Sequence, residues 1–157
     1  MTTLPLGKKA PAFTLQNERG ITVKLADLKG QWVVLYFYPK DDTPGCTVEA
    51  CEFTKGLSGF EKLDAVVLGC SPDAPDKHLK FIAKYKLKIS LLSDPEHKVL
   101  EKYGAWGEKN LYGKITTGVI RSTVLIDPEG NVAHHWARVK AAGHADAVRA
   151  KLAVLAD

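Results

Sequence analysis

Cysteine is scarce in this sequence, and long apolar runs are absent from it. Three of the 157 residues are cysteine, an odd number and too few for the disulfide framework of a small secreted protein. No apolar stretch approaches the roughly 18 residues that a membrane-spanning helix needs, and the N-terminus lacks the charged segment and apolar core of a signal peptide. We therefore expect a cytoplasmic protein with no membrane partner.

Clustered charge is also missing. The 22 basic and 18 acidic residues give a net charge of +4 and are scattered along the chain, without a basic stripe interleaved with aromatic residues. No nucleic-acid partner is predicted on this ground. The five histidines have no spacing to one another or to the cysteines that is typical of a metal site. They are expected on the surface, and no metal is predicted.

The length and the 45% apolar content suit one domain over residues 1–157. Periodicity and turn residues predict an N-terminal β-hairpin followed by main elements in the order βαβαββα, with a further short strand at 89–92 and one or two helical turns at 97–103. This order implies an α/β protein with a central mixed sheet flanked by helices on both faces, which is the thioredoxin-like fold. In the second helix, Leu79 and Ile82 are expected on the buried face. The hairpin strands are predicted at 12–15 and 21–25, the later strands at 32–38, 65–70, 89–92, 119–126 and 132–137, the helices at 46–60, 76–86, 97–103 and 143–156, and a long surface loop at 104–118.

The stretch from Pro39 to Cys46 follows the most apolar run of the chain and opens a helix. Thr43 suits the N-cap, Pro44 the first helical position and Gly45 a close approach of the backbone, so that Cys46 falls in the first turn. Backbone N–H groups in that turn have no intrahelical partner, and the helix dipole favours an anion. A thiolate is such an anion, and it is the reactive form of cysteine.

Cys46 could serve as a nucleophile or as a small buried hydrophobe, which free cysteines more often are. Its position at a helix start favours the nucleophile, because the same N–H groups also stabilise an oxyanion in a transition state. Cys70 ends a predicted strand, and for this residue burial is the favoured interpretation.

The residues around Cys46 carry a resemblance to a known family. Pro39, Thr43 and Cys46 stand as P-x-x-x-T-x-x-C, the motif of the peroxiredoxins. The longer string at 36–47, YFYPKDDTPGCT, resembles the Q-type, or bacterioferritin comigratory protein, branch of that family. The resemblance spans nearly the whole chain. Further similar positions are Cys51 and the stretches 103–109 (YGAWGEK) and 120–127 (IRSTVLID).

The resemblance implies a thiol peroxidase that reduces hydrogen peroxide and organic hydroperoxides without a metal, haem or other cofactor. In such an enzyme Cys46 attacks a peroxide oxygen and becomes a sulfenic acid. Thr43 is then expected to hydrogen-bond the peroxide, Pro39 to shield the sulfur from water, and Arg121 to stabilise the thiolate and the peroxide. An ordinary surface ion pair is the alternative for Arg121. The resemblance also implies a monomer that is recycled by thioredoxin or a similar thiol donor.

By the same resemblance Cys51 is the resolving cysteine, but the helix that contains it opposes a disulfide. Residues five apart in an intact α-helix have Cα atoms about 8 to 9 Å apart and side chains that point roughly 140° away from each other. A disulfide tolerates no more than about 7 Å. Resolution by Cys51 therefore requires local unwinding, which Gly56 and Gly59 make easier because each weakens a helix by roughly 1 kcal/mol relative to alanine. In the alternative, Cys51 is merely packed and an external thiol resolves Cys46.

Two other functions are compatible with a thioredoxin-like domain. A disulfide oxidoreductase is expected to have C-x-x-C at the helix start, whereas Cys46 and Cys51 are separated by four residues. A soft-metal-binding module could use the same two thiols as ligands, although no third ligand lies near them in the sequence. The peroxidase is the favoured interpretation.

Overall fold

The computed structural model describes residues 4–157, so that residues 1–3 of the predicted domain lie outside the described residues. None of the helices within this range is long and apolar enough to cross a membrane. The described chain also contains one short 3-10 helix, Leu25–Leu28. The strands are β1 (Thr14–Gln16), β2 (Thr22–Lys24), β3 (Trp32–Phe37), β4 (Ala65–Ser71), β5 (Ser90–Ser93), β6 (Trp106–Leu111), β7 (Lys114–Val119), β8 (Ser122–Ile126) and β9 (Val132–Trp136). The helices are α1 (Pro44–Lys55), α2 (Leu57–Glu61), α3 (Pro75–Tyr85), α4 (Lys98–Lys102) and α5 (His144–Ala156).

Seven strands build one mixed sheet in the order β2-β1-β5-β4-β3-β8-β9. The central strand β3 is parallel to β4 and antiparallel to β8. The parallel neighbours need crossover helices, which α1, α2 and α3 supply, whereas β8 and β9 need only a turn between them. The predicted mixed sheet is confirmed, and so is the N-terminal hairpin, which β1 and β2 form at one sheet edge.

Strand β3 is buried on both faces and divides the core in two. Alternate residues of a strand point to opposite faces. The odd-numbered residues of 33–37 pack with α4 and the N-terminal segment, and the even-numbered residues of 34–38 pack with α1, α2, α3 and α5. Helices therefore cover both faces of the sheet, and the end of β3 leads the chain onto the face that α1 covers.

The surface loop predicted at 104–118 is wrong, because this segment forms the antiparallel hairpin of β6 and β7. The hairpin is a separate two-stranded sheet. Tyr112 and Gly113 connect its strands with φ values of 55° and 81°. Positive values at both turn residues are those of a type I′ turn, which matches the twist of the flanking strands. The glycine and aromatic residues that indicated a loop belong to a hairpin whose turn signal is Tyr-Gly.

The strand predicted at 119–126 is interrupted at Ile120 and Arg121, which separate β7 from β8. The Ile120 N–H donates to the Ala105 carbonyl at 2.7 Å, and the Arg121 carbonyl accepts a hydrogen bond from the Val139 N–H at 3.0 Å. These backbone groups pair outside the main sheet. The chain thus passes from the hairpin to the sheet at Arg121.

The helix predicted at 46–60 divides at Gly56, whose φ of −90° and ψ of 3° end α1 before α2 begins. The apolar residues at helical spacing along 46–60 all pack in the core, namely Cys46, Ala50, Phe53, Leu57 and Phe60. Phe53 of α1 and Phe60 of α2 are both buried, with ring centroids 5.8 Å apart. The glycine that was expected to weaken one helix separates two.

The surface location predicted for the histidines is wrong for His78, His135 and His144, which are buried. His97 and His134 are half-buried. On α3, His78 is buried with Phe81, whereas Leu79 is 47% exposed, so that the predicted buried face of this helix is also partly wrong. The predicted face was based on apolar residues alone. A histidine whose ring nitrogens are hydrogen-bonded can also be buried, and His78 takes such a position on α3. Among residues 4–157, no three His, Cys, Asp or Glu side chains come together as metal ligands would.

Candidate active site

Cys46 lies in the first turn of α1, directly after the loop that follows β3. Pro44 is the first helical residue, and Thr43 has the extended backbone angles of an N-cap residue, φ −99° and ψ 157°. The Cys46 side chain packs in the apolar cluster between α1 and the sheet, and only 1% of the residue is exposed. The position in the helix is as predicted, but the thiol is more enclosed than its location at a helix end suggests.

Arg121 joins the Cys46 sulfur to a buried carboxylate. Its Nη2 lies 3.3 Å from Cys46 Sγ, and its Nη1 donates to Glu49 Oε1 at 2.7 Å. A planar guanidinium can serve two acceptors in fixed geometry, which a lysine ammonium cannot do. The structure thus brings together two predicted site residues that are 75 positions apart in the chain.

Gly45 leaves room for this guanidinium. A Cβ atom at this position would lie 3.1 Å from Arg121 Nη2, a tight contact that would push the side chain away. Burial by itself lowers the pKa of Arg121, but the negative charges of Glu49 and Cys46 outweigh this and raise the pKa above its usual value. Arg121 is therefore a permanent cation held against the sulfur.

Glu49 is a site residue that is absent from those predicted. Its side chain is fully buried, and its Oε2 has no hydrogen-bond partner among the described residues. Burial raises the pKa of Glu49 to about 7, although the Arg121 charge opposes the rise. The signal in the sequence is an acidic residue three positions after Cys46, beside the apolar stripe of the helix, where helical spacing directs it to the same side.

Replacing Glu49 with glutamine is expected to change how stability depends on pH. The pKa of Glu49 rises from 4.5 in the unfolded chain to about 7 in the folded protein, so ionisation of this group destabilises the fold. The penalty is absent below pH 4.5, grows as the pH rises, and is complete above pH 7, where it is on the order of 3 kcal/mol. The free energy of unfolding of the wild type, measured with urea relative to Glu49→Gln, is expected to fall by this amount across that interval. Glu61→Gln, at an exposed position, is the matched control, and a pH-independent difference for Glu49→Gln would contradict the raised pKa.

Thr43 directs its hydroxyl group into the loop before α1. The Oγ1 donates to the Lys40 carbonyl at 2.8 Å, and the Thr43 carbonyl accepts the first helical hydrogen bond from the Thr47 N–H. The side chain therefore does not cap the helix, which corrects the predicted N-cap hydrogen bond. With no side-chain cap, the N–H groups of the first turn are available to an anion near Cys46.

Three other residues considered from the sequence, Pro39, Cys51 and Cys70, lie in the loop before α1, on α1 and in β4. Pro39 follows β3 and is half-buried. Cys51 is half-buried on α1, and all three cysteines are free thiols. Because α1 is intact from Cys46 to Cys51, the two side chains point to different sides of the helix. Cys70 is buried in β4 within the cluster on the opposite sheet face, where burial raises its pKa well above the usual value.

His144 is a second unpredicted residue near the site. It is the first residue of α5 and is buried, with Nε2 2.8 Å from Thr123 Oγ1. Burial, together with the charge of Arg121, lowers the pKa of His144 to about 4. The imidazole is therefore neutral at neutral pH and adds no second positive charge beside Arg121.

Known proteins are similar to this chain in both sequence and fold. Residues 6–135 match the AhpC/TSA family. The chain is 49% identical over 142 residues to peroxiredoxin Bcp of Bacillus subtilis, with 90% of each protein covered. It is 43% identical over 148 residues to peroxiredoxin Bcp of Escherichia coli, with 94% of this chain and 95% of that protein covered.

A solved structure extends the similarity to three dimensions. The bacterioferritin comigratory protein of Xanthomonas campestris, studied for its alkyl peroxide reduction activity, superposes with a TM-score of 0.90 at 40% identity, covering 98% of this chain and 100% of that one. This similarity confirms the thioredoxin-like fold. The chain belongs to the AhpC/TSA family, in its Bcp or peroxiredoxin Q branch, and is a thiol-dependent peroxidase.

Proposed function

We propose that this chain reduces hydrogen peroxide and organic hydroperoxides with Cys46 as the peroxidatic cysteine. The observation that supports this best is the Arg121 guanidinium 3.3 Å from the Cys46 sulfur, at a helix start that no side chain of the described residues caps. A cation and unpaired N–H groups both stabilise negative charge on the sulfur. The alkyl peroxide reduction activity studied in the Xanthomonas protein supports the same assignment.

The proposed reaction begins when the Cys46 thiolate attacks one peroxide oxygen. An S–O bond forms while the O–O bond breaks, and the electron pair of that bond leaves with the second oxygen as hydroxide or alkoxide. This anion takes up a proton and departs as water or an alcohol. The sulfur, oxidised by two electrons, is left as a sulfenic acid.

Three neighbours are assigned to this step. Arg121, which already donates toward the sulfur, stabilises the charge that moves onto the peroxide oxygens. Thr43 supplies a hydroxyl oxygen that can accept a hydrogen bond from the peroxide O–H, because its own hydrogen is directed to the Lys40 carbonyl. Pro39 shields the sulfur from water in this proposal.

Cys51 is proposed to resolve the sulfenic acid by forming a disulfide with Cys46 and releasing water. This step requires α1 to unwind, since the intact helix keeps the two sulfurs apart. Unwinding must break the contacts of Arg121 with Cys46 and Glu49. The end of α1 at Gly56 limits the number of helical residues that have to rearrange.

The resolving role of Cys51 is tested by mass spectrometry after one equivalent of hydrogen peroxide. The wild type is expected to lose two hydrogen atoms, with a peptide that joins Cys46 to Cys51. Cys51→Ser is expected to gain oxygen at Cys46 instead, because no neighbouring thiol captures the sulfenic acid. Cys70→Ala is the matched control and is expected to form the same disulfide as the wild type. Absence of the joined peptide in the wild type would sink the resolving role and leave an external thiol in its place.

Thioredoxin or a similar dithiol protein is proposed to reduce this disulfide and complete the cycle, with the chain acting as a single-domain monomer. A steady-state assay tests the assignment, in which peroxide consumption depends on thioredoxin and its reductase. Replacement of thioredoxin by a monothiol at equal concentration is expected to lower the rate. Equal rates with both reductants would contradict a specific dithiol partner.

A further inference from the structure

Three polar side chains form a buried cluster at the start of the loop that precedes Cys46. Tyr38 is the last residue before Pro39, Asp41 lies within the loop, and His78 comes from α3. Asp41 is 3% exposed, and the side chains of Tyr38 and His78 are almost fully buried as well. None of the three is used by the proposed reaction, so the cluster needs a different explanation.

The hydrogen bonds of this cluster converge on the Asp41 carboxyl group. The Tyr38 hydroxyl donates to Oδ1 at 2.6 Å, and His78 Nδ1 lies 2.6 Å from Oδ2. The second ring nitrogen of His78, Nε2, lies 3.0 Å from the Leu92 carbonyl, which can only accept. His78 therefore carries a proton on Nε2, and a second proton is shared between Nδ1 and Oδ2. Both carboxyl oxygens of Asp41 are satisfied, as burial demands.

The backbone of Asp41 is also held by a hydrogen bond. The Asp41 N–H donates to Asp73 Oδ2 at 2.7 Å, and Asp73 in turn accepts from Lys77 Nζ at 3.1 Å and from the Ser71 hydroxyl at 3.1 Å. The loop between β3 and α1 is thus held from the side by β4, α3 and the residues that link them.

Thr43 lies only two residues after Asp41, so that a movement of Asp41, the anchor of the loop, would move the proposed peroxide site. Resting on the proposed function, we propose that His78 is a positioning residue that holds the loop 39–43 through Asp41, both when peroxide binds and while α1 unwinds. In this arrangement the unwinding is confined to the residues after the anchor. His78 acts on the sulfur chemistry only through the loop and does not touch the reacting atoms.

A second contact between the loop and α3 provides the internal comparison. Asp42 accepts hydrogen bonds from Lys84 Nζ at 2.8 Å and from the Tyr85 hydroxyl at 2.6 Å, on the surface of the protein. Exposed ion pairs contribute little to holding a structure, because water and salt compete for both partners. We therefore expect the buried contact at Asp41 to hold the loop in place and the exposed contact at Asp42 to contribute little.

The two ring nitrogens of His78 can be tested separately with two amide variants. The amide N–H of His78→Asn replaces Nδ1 and still donates to Asp41, whereas that of His78→Gln replaces Nε2 and reaches the Leu92 carbonyl instead. Stopped-flow fluorescence separates the peroxide-dependent oxidation of Cys46 from the peroxide-independent formation of the disulfide. His78→Gln is expected to slow the first phase about tenfold while the second phase is unchanged or faster, because a misplaced site costs rate without opposing unwinding. His78→Asn and the control Lys84→Gln are expected to stay within about twofold of the wild type in both phases.

Each result decides for or against the anchor. Oxidation of His78→Gln at the wild-type rate, or equal slowing in His78→Asn and His78→Gln, overturns the proposal, since a merely structural role makes no distinction between the two nitrogens. If either variant fails to fold, Tyr38→Phe removes one donor from Asp41 while it keeps the ring. A several-fold slower first phase in that variant supports the anchor, and an unchanged one overturns it. A wild type in which peroxide does not oxidise Cys46 would instead sink the proposed function itself.

Discussion

Replacement of Cys46 by serine is expected to lower peroxide consumption by at least about 1,000-fold, because the hydroxyl group that replaces the thiolate is a much weaker nucleophile toward oxygen. The helix start and the Arg121 cation remain in this variant, and neither can form the S–O bond. The measurement is the second-order rate constant for hydrogen peroxide under single-turnover conditions, followed by the loss of peroxide. This effect is the largest expected from one substitution in the chain.

Cys70→Ala is the matched control for the loss of a thiol. Cys70 lies on the opposite face of the sheet from Cys46, and burial raises its pKa well above the usual value, so that it forms little thiolate. Its removal is expected to leave the rate constant within about twofold of the wild type. Peroxide consumption that survives in Cys46→Ser, or that disappears in Cys70→Ala, would show that Cys46 is not the reacting thiol and would contradict the proposal.

Replacement of Arg121 by glutamine is expected to slow the oxidation of Cys46 by about 100- to 1,000-fold, which is the usual cost of removing one donor from a preorganised anion site. Arg121→Lys is expected to fall between the wild type and this variant, since it keeps the charge but cannot donate to Cys46 and Glu49 together. The same single-turnover assay measures both. Arg149→Gln, at an exposed position on α5, removes an arginine without touching the site and serves as the control.

The Arg121→Gln variant also leaves Glu49 buried without its partner, which destabilises the fold when Glu49 is ionised. The double variant Arg121→Gln/Glu49→Gln separates the two effects, because it removes the buried carboxylate as well as the cation. If the cation is what accelerates the reaction, the double variant stays slow although its stability recovers. Recovery of the rate along with the stability would show that Arg121 acts on the fold and would contradict its assignment to the peroxide step.

Local signals predicted the start of the site well. Neighbouring residues specify a strand of β-branched and aromatic residues, its end at Pro39 and a helix that begins with Pro44. All three signals lie within about a dozen residues of each other. The structure agrees on the hairpin at the N-terminus, on β3 and on Cys46 in the first turn of α1. These features depend on backbone preferences that act over short distances.

Features that depend on partners distant in sequence were not predictable in the same way. His78 was expected at the surface, but Asp41 and the Leu92 carbonyl satisfy its two nitrogens inside the protein. The local sequence does not indicate Glu49 as a site residue, because a carboxylate on a buried face is costly unless a cation meets it, and Arg121 lies 72 residues away. The local sequence does not indicate the hairpin of β6 and β7, because its turn, Tyr112 and Gly113, lacks the commoner Asn-Gly or Asp-Gly pair.

The sequence by itself determined the N-terminal hairpin, the central strand and the thiol at a helix start, and its family motif indicated peroxide chemistry. The first three follow from short-range physics, since strand formation, helix-start positions and the unpaired N–H groups of a first turn are set by neighbouring residues. Only the tertiary structure decided which groups surround the sulfur. The strand is interrupted at Arg121, and Gly45 has no side chain to obstruct it, so that the guanidinium reaches Cys46 and Glu49 together. Charge on a buried group is tolerated only where the fold supplies its partner, and that pairing is a property of the packed chain.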